Sequence, residues 1–289
     1  MIKSLPMFRK QRTGSVICPS CGKLVSANAE ECPYCGRKYP GMFGFTSILR
    51  NLGKDAGFVQ AVMVGTAFLY VATLVVDPAG IRMGGLFSIG SPSTEALLRF
   101  GASGALPFFA LDRWWTLLSA GWLHGGLLHI GFNLYWLRFL APTTAELYGP
   151  GRMVILYTLS SAAGFLLSSV FQYFLPGLSG GLLTVGASAP ILGLLGAMVA
   201  YGRRTGSSIV GRQAWSYAIF MIAFGFLMRG VDNWAHIGGF IGGFLTGMVL
   251  DPRRPERGND LALAVVCLVL TVASVVASLV VPLPPLPFR

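Results

Sequence analysis

Residues Thr184–Ala197 read TVGASAPILGLLGA and open an apolar run that is long enough to cross a membrane. Ser188 stands near the start of this run among small residues, and Pro190 follows it. Proline is tolerated in a helix only in the first turn, where its missing N–H would have no acceptor anyway. We therefore expect Ser188 at or just before a helix N-terminus, where unpaired N–H groups and the helix dipole favour negative charge.

That position suits a nucleophilic serine, because an oxyanion forms beside the nucleophile during acyl transfer. A plain helix N-cap is the alternative interpretation of Ser188, since serine is a preferred N-cap residue. The positions of the histidines, taken up below, favour the nucleophile.

The composition indicates an all-α polytopic membrane protein. The chain has 289 residues, of which 11% are charged, and a mean hydropathy of +0.65. These values exclude a soluble globular protein. The net charge of +11 does not predict a nucleic-acid partner, because the basic residues are scattered rather than gathered in one long patch.

Residues 1–40 are a soluble segment with two C-P-x-C-G turns, Cys18–Gly22 and Cys32–Gly36. Proline and glycine shape each turn so that both sulfurs face one centre, and two such turns offer four thiolates for tetrahedral zinc. The predicted ligands are Cys18, Cys21, Cys32 and Cys35. The segment resembles a zinc ribbon, and it is so short that metal binding and folding should be one event. A pair of disulfides and a rubredoxin-like iron site are the alternatives.

Seven apolar runs of spanning length follow a linker at 41–57. They lie at about 58–76, 124–147, 151–175, 184–202, 213–228, 233–250 and 261–281. We interpret 58–250 as a six-helix membrane core, and 251–289 as a seventh helix with a proline-rich tail. The loop at 77–123 is too apolar for a plain tether, and its aromatic residues predict a partly helical segment at the membrane interface.

Loop charge predicts the orientation of the chain. With a cytoplasmic N-terminus, the cytoplasmic segments hold Arg50, Lys54, Arg152, Arg203, Arg204, Arg212, Arg253, Arg254 and Arg257. The outer segments hold fewer, among them Arg82, Arg99, Arg113 and Arg229. This bias predicts a multi-pass protein of a bacterial inner or plasma membrane with its N-terminus inside. The four cysteines would then lie in a reducing compartment, which favours zinc over disulfides.

The three histidines lie in spanning segments or at their edges, where ionisable residues are costly and usually functional. His124 and His129 begin the second predicted span, and Asn133 shares a helix face with His129. His236 lies near the start of the sixth span. The second, fourth and sixth spans run in the same direction, so these residues and Ser188 should lie at one depth near the outer surface.

This arrangement predicts chemistry. A serine beside a histidine is a nucleophile with its general base, and a histidine and an asparagine on a facing helix can donate hydrogen bonds to an oxyanion. Polar groups that merely hold helices together are the alternative. Asp232 is expected to cap the sixth span together with Asn233 rather than to orient His236. Small residues at four-residue spacing predict close contact between the two helices: Ala189, Gly193 and Ala197 on one, Gly239, Gly243 and Gly247 on the other.

Three segments together resemble a rhomboid intramembrane serine protease: His124–Asn133 (HGGLLHIGFN), Gly186–Ser188 (GAS) and Ala235–Gly239 (AHIGG). The resemblance implies that Ser188 is the nucleophile and His236 the base. It implies neither a third carboxylate nor a cofactor for catalysis.

The similarity covers about residues 58–250 and implies a rhomboid-like six-helix core plus one C-terminal helix (6+1). It also implies that His129, Asn133 and the Ser188 backbone N–H bind the oxyanion. The other matching residues would have structural roles near the site: His124, Gly186 and Gly239.

The chain departs from the family pattern at three places. Ala189 follows Ser188 where glycine is common, and Leu192 stands where an aromatic residue commonly packs under the catalytic histidine. Trp115-Thr116 stands where a Trp-Arg pair is expected, with Arg113 nearby. These positions bear on the packing of the histidine and on the geometry of the first loop.

The sequence thus predicts a serine protease that cleaves transmembrane segments of other membrane proteins in the lipid bilayer, near the outer face. The zinc ribbon is most simply a cytoplasmic module that binds a partner or regulates the enzyme. A catalytically inactive rhomboid-like protein that binds membrane proteins is the first alternative. A small transporter is the second, although it would need paired broken helices and a midplane site. A soluble-hydrolase nucleophile elbow is excluded, because Pro190 stands where it needs glycine.

Overall fold

The computed structural model describes residues 13–18, 21–41, 57–84, 89–176, 180–228 and 230–284. Most of the predicted linker lies outside these residues, including Arg50 and Lys54. Arg229 and the end of the proline-rich tail also lie outside them.

The described residues form one two-stranded sheet and nine α-helices. Strands β1 (Ser15–Ile17) and β2 (Leu24–Ser26) pair antiparallel as a hairpin. The helices are α1 (Phe58–Val76), α2 (Thr94–Phe100), α3 (Thr116–Ser119), α4 (Leu127–Tyr148), α5 (Pro150–Phe174), α6 (Ser188–Thr205), α7 (Ser208–Leu227), α8 (Asn233–Val249) and α9 (Gly258–Val280). Shorter helical turns occur at Pro78–Gly80, Leu106–Ala110 and Ala120–Trp122.

Seven of the described helices are long, and they correspond one to one to the seven predicted spans. The six-plus-one helical architecture behind a small ribbon is therefore confirmed. The observed start of α4 corrects the predicted position of one site residue, His124. The backbone at Gly126 is extended, so α4 begins at Leu127 and His124 lies in the loop before the helix, not at its start.

α6 begins at Ser188, as predicted, although the apolar run itself starts at 184. Thr184 pairs with Ser103 in an isolated β-bridge, which keeps the residues before the helix extended. One other helix start differs from its predicted position. α7 begins at Ser208, five residues before its predicted start, because Gly211 and Arg212 interrupt the apolar run without ending the helix.

Four helices are long and apolar enough to cross a membrane by length and composition, namely α1, α5, α7 and α9. The other three long helices of the described chain, α4, α6 and α8, carry the predicted site residues. α4 contains Arg138 and Glu146, α6 ends in Arg203 and Arg204, and α8 has only 17 residues. The site is therefore carried by the helices that least resemble lipid-facing spans.

α6 and α8 pack backbone against backbone through their small-residue stripes. An added Cβ on α8 would meet α6 at three successive positions: Gly239 against Ala189, Gly243 against Gly193, and Gly247 against Ala197, where Cβ would lie 3.1 Å from Cα. Larger side chains would push the two helices apart. The predicted close contact between these two helices is confirmed.

The segment between α1 and α4 is partly helical, as predicted, and it is packed rather than loose. It contains α2, α3 and the three shorter turns. Leu98, Ala102 and Leu123 are fully buried, whereas Trp114 is 65% exposed. This segment therefore forms part of the wall around the start of α6.

Candidate active site

Ser188 is the first residue of α6 and is half-buried. The N-cap position belongs to Ala187, so the alternative interpretation of Ser188 as the N-cap is wrong. The first intrahelical hydrogen bond runs from Ile191 N to Ala187 O at 3.0 Å. Because Pro190 has no N–H, the N–H groups of Ser188 and Ala189 are the donors left without an intrahelical acceptor. They supply hydrogen-bond donors at the positive end of the helix dipole.

The two residues before the serine are fixed by their backbone. Gly186 has φ of +129°, a conformation that residues with a side chain rarely adopt. Its N–H donates to Ala120 O at 3.0 Å, and Ala187 N donates to His124 Nε2 at 3.4 Å. A Cβ at Gly186 would lie 2.6 Å from His129 Nε2. His124 therefore holds the loop, while His129 lies directly against it.

His129 and Asn133 both approach Gly186 from α4. His129 Nδ1 accepts a hydrogen bond from Gly125 N at 3.3 Å, so in the neutral ring the proton lies on Nε2. A Cβ at Gly186 would lie 3.5 Å from Asn133 Nδ2. That nitrogen is buried and has no hydrogen-bond partner among the described residues. Two unused N–H donors thus flank the loop that leads into Ser188.

His236 is buried in the first turn of α8, three residues before Gly239. Since Gly239 packs on Ala189, the starts of α6 and α8 lie side by side. Gly164 of α5 closes the third side, where an added Cβ would lie 2.6 Å from Ala235 O and 2.9 Å from Ala189 Cβ. The packing leaves no room for larger residues between the helices that carry the serine and the histidine.

Asp232 caps α8, as expected, because its Oδ1 accepts from Ala235 N at 3.0 Å. Asn233 is the first helical residue rather than a second cap. The other carboxylate oxygen of Asp232 accepts from Ser168 Oγ, and that hydroxyl accepts from Gly181 N at 2.9 Å. Asp232 therefore ties the start of α8 to α5 and to the loop before α6.

The candidate nucleophile and base are not yet bonded to each other. Among the residues that the structure describes, no hydrogen bond joins Ser188 to His236, and His236 Nδ1 has no partner. Hydrogen bonds between a nucleophile and its base often tighten only when the substrate is bound. The arrangement is thus compatible with a Ser-His dyad whose hydrogen bond forms only when a substrate peptide is bound.

Three residues that hold the site were missed from the sequence. Gly164 and Ser168 lie four residues apart on α5, so the small-residue spacing that revealed α6 and α8 could also have revealed them. Ala120 holds Gly186 through its carbonyl, and a backbone group leaves no mark in the sequence. Of the positions that depart from the family pattern, Leu192 is fully buried, and Ala189 fills the contact between Gly164 and Gly239.

The four ribbon cysteines converge on one centre, with all four Sγ atoms within 4.8 Å of one another. The Sγ atoms of Cys18 and Cys35 are 3.8 Å apart, and those of Cys21 and Cys32 are 3.7 Å apart. Tetrahedral thiolates at the usual Zn–S length of about 2.3 Å lie about 3.8 Å from one another. The cysteines are free thiols, so the disulfide alternative is wrong. Their geometry fits one structural metal ion.

Comparison with known families agrees with both parts of the chain. A model of the rhomboid domain matches residues 111–253, and a model of a zinc-ribbon domain matches residues 17–38. Together with the apolar helices, these matches identify an integral membrane protein with an N-terminal ribbon. Helix α9 lies beyond the matched rhomboid segment.

Three curated relatives illustrate the range of the similarity. Rhomboid protease GluP of Bacillus subtilis (strain 168) is 33% identical over 187 residues, which are 63% of this chain and 35% of that protein. RHOMBOID-like protein 7 of Arabidopsis thaliana is 31% identical over 246 residues, 78% of this chain and 76% of that protein. Inactive RHOMBOID-like protein 8 of the same plant is 33% identical over 213 residues, 66% of this chain and 58% of that protein. The chain thus spans about a third of the Bacillus protein, and its relatives include both a protease and an inactive protein.

Proposed function

Because this chain belongs to the rhomboid family, we propose that it is an intramembrane serine protease that hydrolyses peptide bonds in or near transmembrane segments of other membrane proteins. The observation that carries the proposal is the meeting of three helix starts around one serine. Ser188 begins α6, His236 lies in the first turn of α8, and the two unused donors come from the first turns of α4.

The chemistry uses residues of this chain and one water molecule. Ser188 Oγ attacks the carbonyl carbon of the scissile peptide bond, and His236 takes the hydroxyl proton and then gives it to the departing amine nitrogen. A water molecule, deprotonated by His236, hydrolyses the resulting ester and regenerates the serine. A spanning helix hides its amides in its own hydrogen bonds, so the substrate must unwind at the cut, which favours small or helix-breaking residues there.

The negative charge on the carbonyl oxygen needs donors on its side of the serine. We assign this role to His129 Nε2–H, Asn133 Nδ2–H and the Ser188 backbone N–H. The support is that Asn133 Nδ2 is buried without a partner and that the Gly125 bond fixes the proton of His129 on Nε2. A buried donor without a partner is costly, and an oxyanion would satisfy it.

The alternative is a catalytically inactive rhomboid-like protein that binds membrane proteins. The relative named as inactive and the missing bond between Ser188 and His236 favour it. The presence of both side chains at adjacent helix starts favours the protease. Activity measurements decide between the two.

We also propose the membrane orientation of the chain, the limits of its domains and zinc as the metal of the ribbon. Arginines gather at the ends of α6 and α8 that lie opposite the candidate site, so we assign those ends to the cytoplasm. A reporter fused after residue 257 should then be cytoplasmic, and an exported reporter would contradict the assignment.

We divide the chain into a zinc ribbon (1–40), a linker (41–57), a protease core (58–250) and a seventh helix with its tail (251–289). The ribbon would bind zinc and serve as a cytoplasmic binding or regulatory module.

Labelling by a fluorophosphonate and cleavage of a model spanning substrate in detergent test the function. Ser188→Ala and His236→Ala should each abolish cleavage without unfolding, and Ser188→Ala should abolish labelling. Asn133→Ala should lower kcat by about 10²–10³ at unchanged folded fraction. Two matched controls should keep full activity. Ser169→Ala removes a buried hydroxyl bonded to Phe165 O, and Thr143→Ala removes a hydroxyl of α4 bonded to Phe139 O.

Cleavage by Ser188→Ala at the wild-type rate would refute the protease. A wild-type protein that folds but neither labels nor cleaves would support the inactive binding protein. Activity of Asn133→Ala that follows its folded fraction alone would refute the oxyanion role of Asn133 and leave the Ser-His dyad.

A further inference from the structure

Helix α9, which lies beyond the matched rhomboid segment, turns an unusual face toward the protein. Its buried residues recur at alternating spacings of three and four, and all are small or carry a small polar group: Ala264, Cys267, Thr271, Ser274 and Ser278. Its large residues, such as Val265, Val269 and Val276, are exposed. The helix therefore turns most of its large apolar side chains outward and its hydroxyl groups to the bundle, while Leu268 and Val275 are half-buried against the core.

The two serines bind the loop that precedes α4. Ser274 Oγ donates to Trp115 O at 2.6 Å, and Trp115 Nε1 donates to Ser278 Oγ at 3.0 Å. Beside them Arg113, which is 1% exposed, donates to Ser278 O at 2.6 Å and to Leu98 O at 2.7 Å. Both carbonyls lie in the last turns of their helices, where intrahelical donors run out and the helix dipole favours a cation.

The same loop holds the residues that lead into Ser188. Directly after Trp115 comes α3, and the next residue, Ala120, accepts the hydrogen bond from Gly186 N. A second connection runs through Thr116, whose hydroxyl lies 3.3 Å from that of Ser103. Ser103 in turn exchanges two backbone hydrogen bonds with Thr184, at 2.7 and 3.1 Å. Only a few bonded groups therefore separate α9 from the candidate nucleophile.

We propose that α9 positions the active site: Ser274 and Ser278, through Trp115, fix the loop whose Ala120 carbonyl and Ser103 backbone hold the residues before Ser188. Ser274, Ser278 and Trp115 are positioning residues, since none of them touches the reacting atoms. The inference rests on the proposed function for its effect on the reaction, although the mechanical connection does not depend on it.

The membrane environment makes this connection strong. Polar backbone groups of an irregular loop at membrane depth need partners inside the protein, because lipid supplies none. The Trp115 carbonyl and indole find partners on α9, and the buried guanidinium of Arg113 finds them on α9 and α2. Removing the serine hydroxyls would leave the Trp115 indole N–H without its acceptor and the Trp115 carbonyl with only the Leu118 N–H, so the loop would lose its side-chain contacts with α9 and could move.

Two variants and two controls test the connection. The double variant Ser274→Ala/Ser278→Ala removes both hydroxyls, and Trp115→Phe removes the indole donor. Thr271→Val removes a hydroxyl from the same buried face that bonds only Cys267 O in its own helix. Trp114→Phe changes a neighbouring tryptophan that is 65% exposed.

Hydrogen exchange tests the mechanical step without any need for activity. In the double variant, amides of 113–123 and 180–187 should exchange about tenfold faster than in the wild type, while amides of α7 stay unchanged. Thr271→Val should leave all of these rates unchanged. Equal exchange in the double variant and the wild type would overturn the inference, whatever the activity.

The catalytic step is tested by the rate of fluorophosphonate labelling and by substrate cleavage, with thermal stability recorded for each variant. The double variant should label and turn over about five- to twentyfold more slowly at unchanged KM. Trp115→Phe combined with Ser278→Ala should cost less than the product of the single effects, because the two share one hydrogen bond. An unchanged labelling rate, or an equal loss in Thr271→Val, would overturn the positioning role. A wild type that never labels while the loop still loosens as described would instead refute the protease.

Discussion

Helices α8 and α9 are held in the bundle in opposite ways. α8 is held by shape, since its glycines bring its backbone against that of α6. α9 is held by polar groups near its two ends, with Asp260 at one and Ser274 and Ser278 at the other. Lipid is as apolar as leucine, so helices in a membrane associate by close packing or by polar contacts rather than by burying apolar surface. The helix that carries the candidate base uses the first device, and the added seventh helix uses the second.

The polar contact at the first end of α9 centres on a buried arginine of α5. Arg152, with a side chain 6% exposed, pairs with Asp260 at 2.8 Å. Its other donors bind backbone carbonyls of the loop between α8 and α9: Asp251, Arg254 and Pro255. Glu256 of the same loop accepts from Arg152 N at 2.8 Å, beside the positive end of α5. One arginine thus fixes the whole connection that leads into α9.

The largest effect should come from adding one methyl group to the interface held by shape. Gly243→Ala would drive its Cβ into Gly193 O, a backbone atom that cannot turn aside. We expect a loss of stability of about 3 kcal/mol or more, at the upper end of overpacking costs. Thermal unfolding of the purified protein in detergent measures it.

Gly131→Ala is the matched control, because Gly131 lies inside α4 and a Cβ there would meet nothing within 4 Å. The same substitution should stabilise the protein by about 0.5–1 kcal/mol, since alanine favours a helix over glycine. Equal effects of the two substitutions would mean that close backbone contact does not hold α8.

A smaller effect should come from removing the charge that holds α9. Asp260→Asn keeps an oxygen that can accept from Arg257 N, as Asp260 does at 2.9 Å, but it leaves Arg152 buried without its counter-charge. Breaking a buried ion pair costs about 3–5 kcal/mol. Because the Asp260 side chain is 20% exposed and Arg152 keeps its carbonyl partners, we expect a loss nearer about 2 kcal/mol.

Arg253→Gln is the control for this charge. Arg253 also pairs with an aspartate, Asp251, but its side chain is 60% exposed. Such exposed pairs contribute about 0–1 kcal/mol, so the unfolding temperature should barely move. If Arg253→Gln destabilises as much as Asp260→Asn, burial is not what makes the Arg152 contact important.

The shape contact was readable from the sequence, whereas the polar contacts were not. Glycines at a fixed spacing mark a helix face wherever the helix lies, so Gly239, Gly243 and Gly247 could be matched to α6 in advance. A single buried hydroxyl such as that of Ser278 does not recur at a fixed spacing, so the sequence does not reveal its contact. Its partner Trp115 lies far away along the chain in a loop whose path no repeat specifies.

The candidate site also combines residues that the sequence predicts with contacts that only the folded chain reveals. Ser188, His129 and His236 each stand near the start of a predicted span, and because these spans run in the same direction, the sequence predicts one depth for all three. Ala120 supports them through a backbone carbonyl that only the folded loop brings near, and the bond from Ser168 to Asp232 likewise appears only in the folded chain. The bridge between Ser103 and Thr184, which holds the residues before α6 extended, is a contact of the same kind.

As far as the structure describes it, the zinc ribbon is held neither by close helix packing nor by buried polar contacts, and altering it should have the smallest effect on the helical bundle. Among the described residues of the ribbon, the buried apolar cluster consists of Val16, Val25 and Ala27 with the cysteines themselves, so we expect its structure to depend on the four thiolates and their metal. We expect one zinc ion per chain. Cys18→Ser should make residues 15–40 sensitive to proteases, while the unfolding temperature of the bundle and the fluorophosphonate labelling rate stay at their wild-type values.

Cys267→Ser, which changes a buried thiol of α9, is the matched control and should leave the metal content unchanged. Metal analysis of the purified protein checks the first expectation, and an absence of zinc with intact thiols would contradict it. A drop in labelling on loss of zinc would show that the ribbon regulates the membrane core, and the two parts could then no longer be treated as independent.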